Sequence, residues 1–143
     1  MTDMSLDIAR SIIAVALDRG KADGFAPLTV VVLDSGGHVV AVERQDGSSN
    51  RRFDIAYGKA HGAVSLGVGS RALSVRAQAE PHFISSATAA IGGSLIPVPG
   101  GVLARDASGR LVGAVGVSGD KSDNDEIAAV AGIEAAGLTA VTG

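Results

Sequence analysis

The sequence has no cysteine and no tryptophan, and only one tyrosine, three phenylalanines and four prolines. Without thiols there are no disulfides, thiolate metal sites, iron–sulfur clusters or covalent haem attachment through a C-x-x-C-H motif. So few rings exclude a core built on aromatic stacking, and they argue against the stacking platforms of single-stranded nucleic-acid binders. A surplus of basic charge is also missing: 12 Lys+Arg against 15 Asp+Glu leave a net charge of −3, so no basic face is expected to hold nucleic acid. Apolar runs are short and broken by glycine or charge, which excludes a membrane-spanning segment. The start, Met1-Thr2-Asp3-Met4-Ser5, lacks the basic-then-apolar pattern of a signal peptide. A cytoplasmic protein with neither a nucleic-acid nor a membrane partner is expected.

What the chain has in abundance is small residues: 20 Gly and 24 Ala among 143. With 46% hydrophobic residues and a mean hydropathy of +0.33, it is too apolar to be intrinsically disordered. A single domain over residues 1–143 buries roughly 70% of its unfolded surface. Its core must close by close approach of backbones.

Residues 5–22 carry Leu6, Ala9, Ile13, Ala16 and Leu17 at helical spacing, with Ser5 or Asp3 as cap and Gly24 as stop. Thr29–Asp34 and His38–Arg44 read as a hairpin around Ser35-Gly36-Gly37, and their nearly continuous apolar character predicts a sheet covered on both faces. Residues 51–66 predict a helix in which Gly58 and Gly62 cost about 1 kcal/mol each relative to Ala, which implies an element packed close against it. Short helices follow at 70–79 and 82–90, separated by Pro81. Leu95–Val98 reads as a short edge strand, because its proline cannot donate to a ladder. A second hairpin spans Gly101–Arg105 and Arg110–Val117, and a last helix covers about 123–137 with Ser122 or Asp123 as N-cap. The sum is an α+β fold, a five-stranded antiparallel sheet flanked by helices.

Several groups could carry chemistry. Gly36-Gly37 precedes a strand and Gly113, Gly116 and Gly119 precede no βαβ unit, so neither is a phosphate or dinucleotide loop. His38, His61 and His82 lack zinc spacing, and no metal site is expected. Each fits a surface role as well as a ligand role. Asp54, Tyr57 and His61 share a helix face, while Lys59 lies elsewhere among small and apolar positions. Lys59 either meets solvent or enters a pocket, where it would pair with a carboxylate or shift its pKa. Asp125 and Glu126 open the last helix, either as a capping arrangement or as acid/base groups at a site entrance. Gly92-Gly93 and Gly100-Gly101 would let a flat ligand or another backbone come close. The expectation is that Lys59, His61, Asp125 and Glu126 converge in one crevice.

The run Val31–Ala41 with Asp34-Ser35-Gly36-Gly37, then Arg44-Gln45-Asp46-Gly47, then Ala56-Tyr57-Gly58-Lys59-Ala60, resembles the haem-degrading domain family, which includes GlcG-like proteins, the PduO C-terminal domain and a haem-binding accessory protein. Gly92-Gly93-Ser94-Leu95-Ile96-Pro97 is similar to its G-G-x-P-I segment with one extra residue, and Gly113–Gly119 with Asp125-Glu126 to its closing strand and helix start. The resemblance covers about residues 5–138. It implies a profilin-like antiparallel sheet flanked by helices and assembly into homo-tetramers or homo-octamers. It also implies haem as a ligand, either bound or degraded. His38, His61 or His82 would then supply an axial group, and Arg44, Arg52, Lys59 or Arg71 would meet the propionates, with Gly92 and Gly93 beside the ligand. Two other readings stand beside it. One is a cofactor-light catabolic enzyme, in which Arg44, Lys59 or Arg71 holds a small anionic metabolite and Lys59, His61, Asp125 or Glu126 does acid/base work. The other is a non-catalytic oligomeric accessory subunit.

Overall fold

The structure is a computed structural model that describes residues 3–143. Met1 and Thr2, at the head of the N-terminal stretch judged above, lie outside the described residues. The elements run α1 (Leu6–Ala22), β1 (Thr29–Asp34), β2 (Val39–Arg44), α2 (Arg52–Leu66), α3 (Ser70–Ala79), α4 (Pro81–Ala90), β3 (Gly101–Arg105), β4 (Leu111–Ser118), α5 (Ser122–Ala135) and β5 (Thr139–Val141). The strands form one antiparallel sheet in the order β2-β1-β4-β3-β5.

Period-two alternation sends side chains to two layers. Val30, Val32, Val102, Val115 and Val117 join Ile12, Ile13 and Ile133 beneath α1 and α5. Val31, Leu33, Leu103 and Ala114 join Ala56, Ala60 and Ala63 beneath α2. A third, smaller cluster of Leu73, Ile84 and Leu95 holds the α3–α4 arm.

Backbone contact closes the α2 layer. Gly116 pairs with Gly101 on the neighbouring strand. A Cβ on Gly116 would collide with the Ala56 carbonyl, and one on Gly101 with the Lys59 carbonyl. On the opposite face a Cβ on Gly132 would come within 2.5 Å of the Ile12 carbonyl oxygen, so α5 lies directly on α1.

Three expectations need correction. Leu95–Val98 is not a strand: its Ile96 N–H bonds to the Gly58 carbonyl (3.1 Å), so the segment crosses over α2. The fifth strand is β5, which pairs with β3 after the chain turns at Gly137. The first hairpin is covered on both faces only at β1; β2 is an edge strand with Val39 48% exposed. Boundaries also move. The second strand starts at Val39, Pro81 sits in the first turn of α4, and α5 is preceded by Lys121 without a side-chain cap, whereas Ser5 Oγ does accept from the Ile8 N–H.

Gly116→Ala is expected to lose about 1–3 kcal/mol of unfolding free energy through overpacking. Gly36→Ala, whose new Cβ meets the exposed His38 ring at 3.0 Å and Asp34 Oδ1 at 3.4 Å, should stay within about 0.5 kcal/mol of wild type when both variants are unfolded in urea.

Candidate functional site

Lys59 and Asp125 do meet. Lys59 Nζ donates to Asp125 Oδ2 (3.0 Å) and to the Val117 carbonyl (2.9 Å), and Asp125 Oδ1 accepts from the Asp120 N–H (2.9 Å). Their side chains are 2% and 1% exposed. Lys59 gets there because it faces the sheet from α2 where Gly100 and Gly101 leave room; a Cβ on Gly100 would stand 2.9 Å from Nζ. Burial pushes the Lys59 ammonium below its ordinary range and the Asp125 carboxyl above its own. Their mutual attraction opposes both shifts, but the loss of hydration outweighs it. The pair therefore fastens α2 to the end of β4 and the start of α5, and presents nothing to a ligand.

The expected convergence does not occur. Glu126, one residue on, points outward, where Arg71 Nε donates to both its carboxylate oxygens (3.2 and 3.0 Å) and Arg71 Nη2 reaches Asp123 (2.6 Å). This exposed clamp ties the start of α3 to α5 and commits both Arg71 and Glu126. His61 is two residues from Lys59 and so projects from a different side of α2. His38 is 82% exposed beside Asp34, and His82 is exposed at the start of α4. Of the two glycine pairs where a close approach was expected, Gly92 and Gly93 are exposed with nothing within 4 Å of the Cβ positions, whereas Gly100 and Gly101 lie against Lys59.

A second grouping lies on the open side of α2. Phe53, Tyr57 and His61 follow one another at i, i+4 and i+8 and form a ladder of rings. Phe53 and Tyr57 have centroids 5.9 Å apart at 24°, and Tyr57 and His61 5.1 Å apart at 20°. The i, i+4 spacing of Phe53 and Tyr57 was present in the sequence, but a ladder becomes legible only when the helix face beside the edge strand is known to be open. His61 Nδ1 lies 2.8 Å from the Ser94 carbonyl, which only accepts, so Nδ1 carries the hydrogen. Among the described residues no buried side-chain nitrogen or oxygen lacks a partner, and His61 Nε2 makes no hydrogen bond, so that atom is not sealed from solvent.

Register places β2 alongside this ladder. Val42 pairs with Val31, Val39 with Leu33 and Arg44 with Thr29, and paired residues share a face, here the α2 face. Val42 and Tyr57 are half-buried against the same cluster. Arg52 Nη1 bonds Ser118 Oγ (3.1 Å), and Ser118 pairs with Thr29, so Arg44 and Arg52 flank the same end of the seam. At the other end His61 and Val64 stand against the turn at Gly37. The seam thus carries an imidazole at one end and, at the other, the Arg52 guanidinium on Ser118 with Arg44 at the paired end of β2. No ion pair engages Arg44 or Arg52 among the described residues. A separate cleft of about 490 Å³, between the end of α1 and the loop after β2, includes Arg44, Glu43, Lys21 and Phe25 but none of the other candidates. No group of three or more His, Asp or Glu among the described residues is placed to hold a metal ion.

This architecture recurs in solved structures. The haem complex of PduOC has a TM-score of 0.84 at 21% identity over 96% of this chain and 97% of that one. The Klebsiella pneumoniae protein ORFY, of family DUF336, has 0.84 at 22% over 96% and 92%. HbpS has 0.79 at 27% over 94% and 91%. The fold is that of the DUF336 and HbpS proteins. Residues 4–134 match the HbpS-like family of haem degrading proteins, and the chain belongs to that family. No curated protein matches the sequence.

Removing either partner of the buried pair, as in Lys59→Met or Asp125→Asn, should cost about 3–5 kcal/mol in denaturant unfolding, while the double change Lys59→Met/Asp125→Leu should recover much of that loss. In Asp125→Asn, Lys59 loses its counter-charge and its folded pKa stays below the unfolded value. The unfolded chain then binds the extra proton, so the variant's stability should climb with pH towards about 10.4. A flat or falling profile would contradict the assignment.

Proposed function

We propose that the protein binds haem in the seam between α2 and β2, with His61 Nε2 as the axial ligand and Arg44 and Arg52 meeting the propionates. The observation that carries this reading is the His61 imidazole, its Nδ1–H held by the Ser94 carbonyl and its Nε2 open, at the end of a ladder of two further rings. A histidine that holds a metal through one ring nitrogen commonly gives the N–H of the other to a backbone carbonyl. Val39, Val42, Phe53 and Tyr57 offer an apolar surface to a flat apolar macrocycle, and Arg44 and Arg52 would meet its carboxylates. When bound, haem supplies iron-centred oxygen and peroxide chemistry. The chain's own residues bind it, orient it, and exclude water from the face laid on the shelf. Membership of a family of haem degrading proteins and the likeness to HbpS support this reading.

The acid/base alternative draws less support from the geometry. Lys59 and Asp125 are consumed by each other, Glu126 by Arg71, and His61 stands alone. A role as a homo-oligomeric subunit, tetramer or octamer, is compatible with haem binding; Leu6 and Val75, 45% and 66% exposed, lie away from the seam and are surfaces that assembly would cover. No described helix is long and apolar enough to cross a membrane. We place the whole chain, as one domain, in the cytoplasm.

Titration with haemin should give a saturable Soret shift at micromolar protein. His61→Ala should abolish it, and Arg44→Ala should weaken binding roughly fivefold, the equivalent of about 1 kcal/mol for an exposed charge pair. No Soret shift in the wild type, or a shift that survives His61→Ala and disappears in His38→Ala or His82→Ala, would overturn the assignment. The native mass should be that of four or eight chains; a monomer would remove the oligomeric reading.

A further inference from the structure

The segment between α4 and β3 has no regular structure, yet three consecutive residues of it dock on α2. Ser94 gives its carbonyl to His61 Nδ1 (2.8 Å). Leu95, 4% exposed, sits on Gly62, where a Cβ would fall 2.7 Å from its Cγ and 3.3 Å from its Cα. Ile96 sits on Gly58, where a Cβ would fall 2.5 Å from its Cγ1, and its N–H bonds the Gly58 carbonyl (3.1 Å). A tight turn from the Val98 N–H to the Ile96 carbonyl (2.9 Å) closes around Pro97. The segment leaves α4 through Gly92 and Gly93, at φ 96° and 100°, a region that side chains rarely adopt. Two helix-weakening glycines on α2 and two left-handed glycines at its entry all serve one crossing.

We propose that residues 92–100 form a positioning strap that locks His61 in its Nδ1–H tautomer, and that Gly58 and Gly62 are kept side-chain-free to admit it. A histidine left to itself in water favours the opposite tautomer, with the hydrogen on Nε2 and no lone pair there to give. The Ser94 carbonyl reverses that preference and leaves the lone pair on Nε2. Ser94 and Leu95 are positioning residues that act through His61. The use made of that lone pair rests on the haem reading above; the tautomer does not.

The test needs no haem. In protein labelled with ¹⁵N-histidine, two-bond proton–nitrogen correlation at alkaline pH separates the tautomers. His61 is expected in the Nδ1–H form, and the exposed His38 and His82 mainly in the Nε2–H form. In Gly62→Ala the new methyl lifts Leu95, and His61 should revert to mainly Nε2–H; adding Leu95→Ala should restore the wild-type form. If Gly62→Ala fails to fold, Gly93→Val displaces the strap from its exposed end and should give the same reversion. A wild-type His61 in the Nε2–H form, or an unchanged His61 in the folded strap variant, overturns the proposal. A wild-type Nδ1–H signal with no Soret shift overturns the haem reading alone.

Discussion

The contact of α2 with the sheet, backbone on backbone, is the constraint from which the rest follows. Gly101 and Gly116, paired on adjacent strands, let the carbonyls of Lys59 and Ala56 rest where side chains would ordinarily stand. The close approach has two consequences. It draws the Lys59 side chain into the end of the sheet, where only a carboxylate and a carbonyl can satisfy it. It also fixes the rotation of α2, so that Phe53, Tyr57 and His61 emerge together beside the edge strand.

The buried pair is an expensive fastener. Desolvation outweighs attraction for both charges, so the folded protein gains little from it that well-packed apolar side chains could not supply. It specifies an arrangement instead: only one seating of α2 against β4 and α5 satisfies both ions. Outside, the Arg71 clamp repeats the link between the same helix, α5, and the start of α3 in solvent, where such contacts contribute at most about 1 kcal/mol.

Much of the fold was legible because its signals are local. The apolar spacing of Leu6 to Leu17, the β-branched run Thr29–Asp34 and the two Gly-containing turns state their elements outright. Leu95–Val98 misled because an apolar run with proline reads alike as an edge strand and as a strap; only the receiving glycines on α2, Gly58 and Gly62, far earlier in the chain, decide between them. β5 was missed because Thr139–Val141 is three residues long and makes sense only against β3. At the site, the small neighbours of Lys59 foretold that it could enter the interior and pair with a carboxylate. The supposed convergence failed on helical geometry: Lys59 and His61, two residues apart, cannot share a side of α2, nor can the adjacent Asp125 and Glu126 share one of α5. The Ser94 carbonyl was beyond reach, since a main-chain atom leaves no trace in residue identity.

Tyr57, the middle ring of the ladder, is the chain's single tyrosine, and there is no tryptophan. All ultraviolet emission beyond that of phenylalanine therefore arises from one phenol at the seam. The molecule carries its own fluorescent reporter beside the edge strand, with no background from elsewhere in the chain.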